Sequence, residues 1–321
     1  MTIGLTWRRT ARRIKRLKEG VLTISPDYSD RDPRLFGALL SDNGNLFAIT
    51  EAEGITPQPP FPPYGEAFDE TGKLSNKTFP GRFTDGQNWV DYFPLVAQLP
   101  ILITPFFLDP TNGTNVAVGG STSANLLQSG PNNFPPAQVP EYLNIKSASS
   151  DDLYVIWIGA DDFAAGITPR TTVDNIRNAL AELAKAGAKD FIVIDAPDIS
   201  LTPKVQALGS AIIHQARQFV AAVNLLLAVE IPLSASLDRI NITLVDINAL
   251  FVPLVLNPIY FGFSNSTTPA LVALVANPNV NPNDYLFWDD FHPTTGAHLL
   301  AAKFIYHVAS FKFSFSALSF R

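Results

Sequence analysis

What most constrains this chain of 321 residues is an alternation: short apolar runs, each followed by a stretch with helical spacing. Residues 115–118 and 154–158 read as buried strands. Thr171 or Thr172 is a candidate helix cap, and Val173, Ile176, Leu180 and Leu183 then repeat at helical spacing until Gly187. Residues 191–195 are again strand-like, and 204–229 helical, with Leu208, Ile212, Phe219 and Val223 on one side. Residues 242–246 form another strand, and 293–309 a closing helix. Strand, helix, strand, helix predicts α/β architecture: a parallel sheet covered on both faces, a three-layer α/β/α sandwich. Functional sites in such sheets form at the carboxyl ends of the strands.

Three stretches break the pattern. Residues 1–34 are basic and then polar, so the organisation reads as an N-terminal tail over 1–34 and one domain over 35–321. Residues 55–80 form a Pro- and Gly-rich loop without periodicity, either substrate-facing or a decorative insertion. Residues 123–149 are irregular and rich in Ser, Pro and Asn. The end of the chain, FKFSFSALSF, suits an edge strand or a frayed terminus.

Composition narrows the function classes. At 46% apolar residues the chain has material for a sizeable core, and with no cysteine it has no disulfide, thiolate chemistry or cysteine-ligated zinc. The net charge of −6 divides unevenly: residues 1–20 carry seven Lys or Arg and one Glu, or +6, leaving −12 on the rest. An acidic body argues against a nucleic-acid partner. Trp7, Ala11, Ile14 and Leu17 share one helical face opposite Arg and Lys, a pattern for weak membrane-surface contact through residues 1–20. The preferred reading of this segment is a disordered basic tail. No apolar region follows its Arg pairs, so it is not an export signal. Apolar runs such as 225–229 are too short to span a bilayer. The chain is then cytoplasmic if its N-terminus is authentic; its oligomeric state is not legible.

Chemistry concentrates in ordered blocks at the expected strand ends: FGALLSDNGN (36–45), GTNVAVGGSTSA (113–124), YVIWIGADDF (154–163) and FWDDFHPTTGAH (287–298). GRFTDGQNWVDYF (81–93) and NPIYFGFSNSTTPAL (257–271) accompany them. Together they resemble the SGNH/GDSL ester hydrolases, above all the bacterial lipase- or lecithinase-like esterases and the plant GDSL lipases, over roughly residues 36–309. In the last block Asp289 and His292 stand three apart before Pro293, a spacing at which a carboxylate reaches Nδ1 and leaves Nε2 free as a base. The resemblance makes Asp289 the orienter and His292 the general base. Asp290 is the less favoured orienter, His298 reads as helical packing or surface, and His214 and His307 fall in no motif. The resemblance further implies hydrolysis of a carboxylic ester through a Ser–His–Asp acyl-enzyme, a small-molecule ester or acylated ligand, and no metal or cofactor.

Three departures set this chain apart from the pattern it resembles. Where the family's opening block reads F-G-D-S-L-S-D-x-G-N, this chain has Ala38 for the aspartate and Leu39 for the nucleophilic serine. Where the family's third block reads G-x-N-D, the oxyanion asparagine is Asp161, and an ionised carboxylate accepts hydrogen bonds but does not donate them. Losing one such donor costs about 2.7–4 kcal/mol of barrier; the alternative is that Asp161 turns away into a structural bond. Gly120 matches the family's oxyanion glycine, with Gly119 the candidate if the register is off by one. Ser41 is a possible rescue nucleophile, two residues from the vacated position; Ser121 and Ser123 read as loop hydrogen bonders. No G-x-S-x-G elbow occurs in the chain. Finally, SPDYSDRDPRL before Phe36 is poor strand material, and the nearest apolar run is 21–24. One frameshift or wrongly joined start explains residues 1–39 as a block, but not Asp161. The expectation is an impaired or inactive hydrolase; a non-catalytic acyl- or glycan-binding protein is the alternative.

Overall fold

The structure is a computed structural model that describes residues 32–314. Its strands are β1 (Pro33–Gly37), β2 (Glu66–Phe68), β3 (Leu74–Thr78), β4 (Leu153–Trp157), β5 (Asp190–Ile194) and β6 (Asn241–Val245). The helices are α1 (Asn45–Ala52), α2 (Trp89–Ala97), α3 (Gln138–Ile145), α4 (Ala160–Ala164), α5 (Pro169–Lys185), α6 (Pro203–Ala207), α7 (Ser210–Asp238), α8 (Asn248–Leu256), α9 (Pro258–Phe261), α10 (Ala270–Ala276) and α11 (Thr295–Ser314).

The main sheet is parallel, in the order β1-β4-β5-β6, with Pro33, Leu153, Asp190 and Asn241 in register at its start. Residues 114–118 run along the free edge of β1. Leu35 N donates to Thr114 O (3.0 Å), Val116 N to Leu35 O (2.7 Å) and Val118 N to Gly37 O (3.2 Å). Counting this segment, the parallel order along the chain is 2-1-3-4-5, and the winding reverses between β1 and β4, where ligands bind in doubly wound sheets.

Alternate side chains of each strand serve opposite faces. Leu35, Val155, Trp157, Ile192 and Val245 pack with α2, α8 and α11. Phe36, Tyr154, Ile156, Phe191 and Val193 pack with α5 and α7. The three-layer sandwich expected from the alternation is therefore present.

Several local expectations are corrected. Residues 33–35, directly before Phe36, do form the first strand. Pro33 takes the first strand position, where its missing N–H is tolerated. Arg34 is held by a two-pronged bond to Asp152, 3.1 Å from each nitrogen, so the charge in the strand is matched. Helix α5 is capped by Thr168 with Pro169 at its first position, not by Thr171 or Thr172. The long helical stretch breaks at Gly209 (φ 87°), leaving Leu208 exposed, and α7 then runs to Asp238. Among the described residues α7 is the one helix long and apolar enough by length and composition to cross a bilayer; it packs on α5 and buries Phe219, Val223, Leu227 and Ile231. Residues 55–80 contain the β2–β3 hairpin, and 123–149 contain α3. Residues 311–314 continue α11 and do not form an edge strand. The basic segment 1–20, the run 21–24 and the last seven residues lie outside the described residues.

Candidate functional site

The block 36–45 divides into two halves. Gln138 clamps Gly37 at the end of β1, accepting from its N–H (2.8 Å) and donating to its carbonyl (2.7 Å). The chain then turns tightly, with Ser41 N and Asp42 N both donating to Ala38 O. Beyond the turn, every polar residue is buried and employed. Asp42 accepts from the N–H groups of Gly44 (2.8 Å), Asn45 (2.6 Å), Leu46 (3.0 Å) and Gly119 (2.7 Å). Asn45 donates to the carbonyls of Asn115 and Ala117, and Asn43 to that of Ile103. Asn115 donates to Ser41 O and Asn43 Oδ1. Side chains thus tie residues 115–117 to the turn after β1 and to the start of α1.

The other half faces open space. Ala38, Leu39 and Leu40 line a small cavity with Trp157, Ile158, Ala160, Asp161 and Phe291, and no hydroxyl lies on its wall. Leu40, Trp157, Ala160 and Phe291 also line a second, apolar cavity, which continues to Leu250, Phe251 and Leu254 of α8 and to Ala297, His298 and Ala301 of α11. The two make one cleft at the point where the sheet winding reverses.

Asp289 and His292 meet as their spacing implied: Asp289 Oδ2 lies 2.6 Å from His292 Nδ1. The backbone N–H groups of Phe291 (2.7 Å) and His292 (2.5 Å) donate to Asp289 Oδ1. Tyr64 adds a bond absent from the sequence reading, its hydroxyl donating to Oδ2 at 2.6 Å. Burial alone would raise the Asp289 carboxyl; the bonds from His292 and Tyr64 and the imidazole's charge outweigh it and hold the group at about 2. Phe83 and Phe291 flank the imidazole, with ring centroids 5.3 and 5.5 Å away. Its Nε2 is buried without a hydrogen-bond partner. Block 81–93 braces this loop: Thr84 Oγ1 donates to Pro293 O, and Asp85 accepts from Thr295 N. Asp290 offers its carbonyl to Lys204 N.

The oxyanion candidates separate cleanly. Gly119 N is committed to Asp42. Gly120 is exposed at φ 78° with open space where a Cβ would sit. Among the described residues, neither its N–H nor that of Leu39 donates to a protein acceptor. Of the acidic pair after β4, it is Asp162 that makes the structural bonds, accepting from Ser123 N, Ser123 Oγ and Thr172 Oγ1. Asp161 lines the cavity and makes no side-chain hydrogen bond among the described residues. Burial pushes its carboxyl up to about 6, against the opposing pull of His292 and Lys204.

Ser41 does not fit the rescue role. It is buried at 1% exposure, accepts from the Trp89 indole N–H at 3.1 Å, and lines neither cavity. Ser121 and Ser123 are loop hydrogen bonders as expected. His298 is buried in the cavity wall, and burial lowers its imidazole to about 3, so it is neutral. Tyr64 and Gln138 carried no sequence signal of their own, since both act across long loops. Among the described residues no group of three His, Asp or Glu is placed to hold a metal.

Against known proteins, the family model described as GDSL-like Lipase/Acylhydrolase matches residues 35–305. The thermolabile hemolysin of Vibrio parahaemolyticus is 27% identical over 87% of this chain; the match spans 64% of the hemolysin, less than two thirds of its length. The phosphatidylcholine-sterol acyltransferase of Aeromonas hydrophila is 24% identical, over 87% of this chain and 91% of its own. An Arabidopsis thaliana protein named as a GDSL esterase/lipase is 26% identical over 85% and 86%. Among solved structures, a catalytic mutant of the acetylxylan esterase Axe2 from Geobacillus stearothermophilus covers 88% of this chain and 94% of its own at 14% identity and a TM-score of 0.42.

Proposed function

Since this chain belongs to the family of GDSL-like lipases and acylhydrolases, we propose that it keeps an ester-binding cleft and a base but has lost acyl-enzyme chemistry. In this reading Leu39 occupies the nucleophile's position, His292 is the base, Asp289 orients it, and the N–H groups of Leu39 and Gly120 are what remains of an oxyanion site. Asp161 stands where the third donor belongs and opposes the negative charge that such a site must stabilise.

The observation that carries the reading is the orphaned Nε2 of His292. Buried imidazole nitrogens are normally hydrogen-bonded. Asp289, itself held by Tyr64, fixes the ring through Nδ1, and the residue at the nucleophile's position, Leu39, has no hydroxyl to donate to Nε2. That is what exchanging the serine for leucine leaves behind. A fluorophosphonate probe tests it: the chain stays unlabelled, whereas the Ala38→Asp, Leu39→Ser, Asp161→Asn triple variant acquires one adduct, at position 39. A stoichiometric adduct on the unaltered chain would overturn the reading.

The ligand class follows from family and cleft: a small molecule with an ester-linked or free acyl group. Relatives named as esterase/lipase and as phosphatidylcholine-sterol acyltransferase support a lipidic acyl chain. The apolar lining of the second cavity favours one further reading, a non-catalytic acyl-binding protein. Saturable thermal stabilisation by such ligands without turnover is its signature. The two cores share one sheet, which supports residues from 35 onward forming a single domain.

A further inference from the structure

Residues 247–283 contain no Asp, Glu, Lys or Arg, although the chain outside residues 1–20 carries twelve more negative than positive charges. The segment folds as the short helices α8, α9 and α10 with their connections. It is tied into one unit and onto the Asp289 loop by backbone and side-chain bonds. Ser266 Oγ donates to Val255 O at the end of α8. Phe263 N donates to Pro258 O, and Ala270 N and Leu271 N to the carbonyls of Phe287 and Trp288, directly before Asp289. The two sides of this unit are both apolar. Its inner side, through Leu250 and Leu254, walls the second cavity. Its outer side leaves large aliphatic groups in water: Ile259 is 81% exposed and Val275 87%, with Leu256, Tyr260 and Val272 also exposed.

A surface of this kind in a charge-poor segment marks an interaction site. We propose that residues 247–283 dock the protein on a neutral lipid surface, from which a single aliphatic chain passes into the cavity behind α8. The inference rests on the acyl-ligand reading above. Three features point to lipid rather than to a protein partner. The exposed groups are joined to an apolar cavity wall through α8, whose Leu254 lines the cavity and whose Leu256 is exposed. The unit is divided at Asn257, after which Pro258 opens the next helix, and at Gly262, into helices of nine, four and seven residues, too short to span a bilayer but able to lie at its surface. Tyr260 among the aliphatics supplies an amphipathic ring of the sort that sits at headgroup depth. With no charge on the unit, attraction to the surface comes from apolar burial, so it does not depend on salt. That separates it from any attraction through the basic residues 1–20, which requires anionic lipid and fades with salt.

Co-sedimentation of the full chain with phosphatidylcholine vesicles tests the proposal. Binding is expected at low and high salt alike. The Ile259→Glu, Val275→Glu double variant, altered only at exposed positions, loses about tenfold or more in partition. Leu225→Glu, Leu233→Glu on the exposed side of α7 serves as the control and leaves binding unchanged. No binding to phosphatidylcholine, binding only to anionic vesicles and only at low salt, or equal loss in the α7 variant would each overturn it. So would a concentration-dependent dimer that the double variant abolishes without vesicle binding, since the face then serves a second copy. Failure of the underlying reading is read separately. The Ala38→Asp, Leu39→Ser, Asp161→Asn variant is assayed on water-soluble butyrate esters, where docking plays no part. Activity there without vesicle binding sinks the docking face alone; no activity there counts against the cleft itself.

Discussion

The loop that leaves β1 and the loop that leads into α11 border the same cavity and differ in what they retain. In the α11 loop the expected carboxylate–imidazole pair is held on every side: Asp289 by two N–H groups, a phenol and an imidazole, and that imidazole by two flanking aromatic rings. In the β1 loop only the second half matches the family's pattern. The difference follows from what each residue's loss would do to folding. Removing Asp42 strands four buried N–H groups, at about 1–3 kcal/mol each. Placing leucine at position 39 strands nothing in the backbone and adds apolar contact to a cavity wall. In the β1 loop the residues that match the pattern hold the scaffold, and the two that depart from it, Ala38 and Leu39, have side chains with no polar bond to lose. A pattern match by itself therefore says less about activity than the identity of the residues that face the cavity.

The largest expected effect comes from repairing the weaker loop. Ala38→Asp, Leu39→Ser, Asp161→Asn should raise kcat/KM on short soluble esters by at least about a thousandfold, since a triad without its nucleophile retains only residual catalysis. Adding His292→Ala to that variant should remove the gain. If the repaired chain stays silent while its thermal unfolding matches the unaltered chain, the two loops are not in register for chemistry and the comparison fails.

Next come the opposed titrations of the two carboxylates. Asp161 is raised in the folded state, so folding favours its proton; the associated penalty is absent below pH 4, develops as pH rises to about 6 and is complete above. Asp289 is lowered, so the stability it contributes is present above about pH 4 and is lost as pH falls toward 2. Asp161→Asn should flatten the decline between pH 4 and 6, by at most about 3 kcal/mol at 1.36 kcal/mol per unit, less the share that solvent screens. Asp85 at about 6 and Asp195 at about 7 slope the same way, so the measurement is the difference between variant and parent in urea unfolding across pH. An unchanged slope would mean that Asp161 is solvated and not part of the cavity wall.

A smaller effect tests the scaffold half. Ser41→Ala should cost about 1–3 kcal/mol by stranding the indole N–H of the fully buried Trp89, with no change in the repaired variant's kcat. Loss of that kcat instead would return Ser41 to the site.

How much of this was legible in the sequence depended on whether the signal was local. The strand–helix alternation gave the sandwich, and the Asp289–His292 spacing gave the dyad, because both are written within a few residues. The first strand was misread because PRLFG has little strand propensity of its own; its stability comes from Asp152, Thr114 and the parallel neighbour β4, all remote in sequence. The division of labour between Asp161 and Asp162 was equally hidden, being decided by Ser123 and Thr172. Gly120 was separable from Gly119 only once Asp42 was seen to occupy the latter's N–H.

The smallest expected effect concerns Tyr64, the remote residue that the α11 loop borrows from the loop at 55–65. Its hydroxyl shares Asp289 Oδ2 with the imidazole. Tyr64→Phe removes one of four donors to a buried carboxylate while leaving the ring contacts with Phe83 and Trp288. A charge-assisted bond of this kind contributes about 1.5–3 kcal/mol, and the remaining three donors should absorb part of the loss. Asp289 should then titrate higher, moving the acid limb of stability toward neutral pH, and kcat of the repaired variant should fall by about tenfold or less with KM unchanged. A rise in KM alone would place Tyr64 against the ligand instead. No change in either quantity would mean that the dyad stands on its own loop, and that the contrast with the β1 loop owes nothing to the insertion.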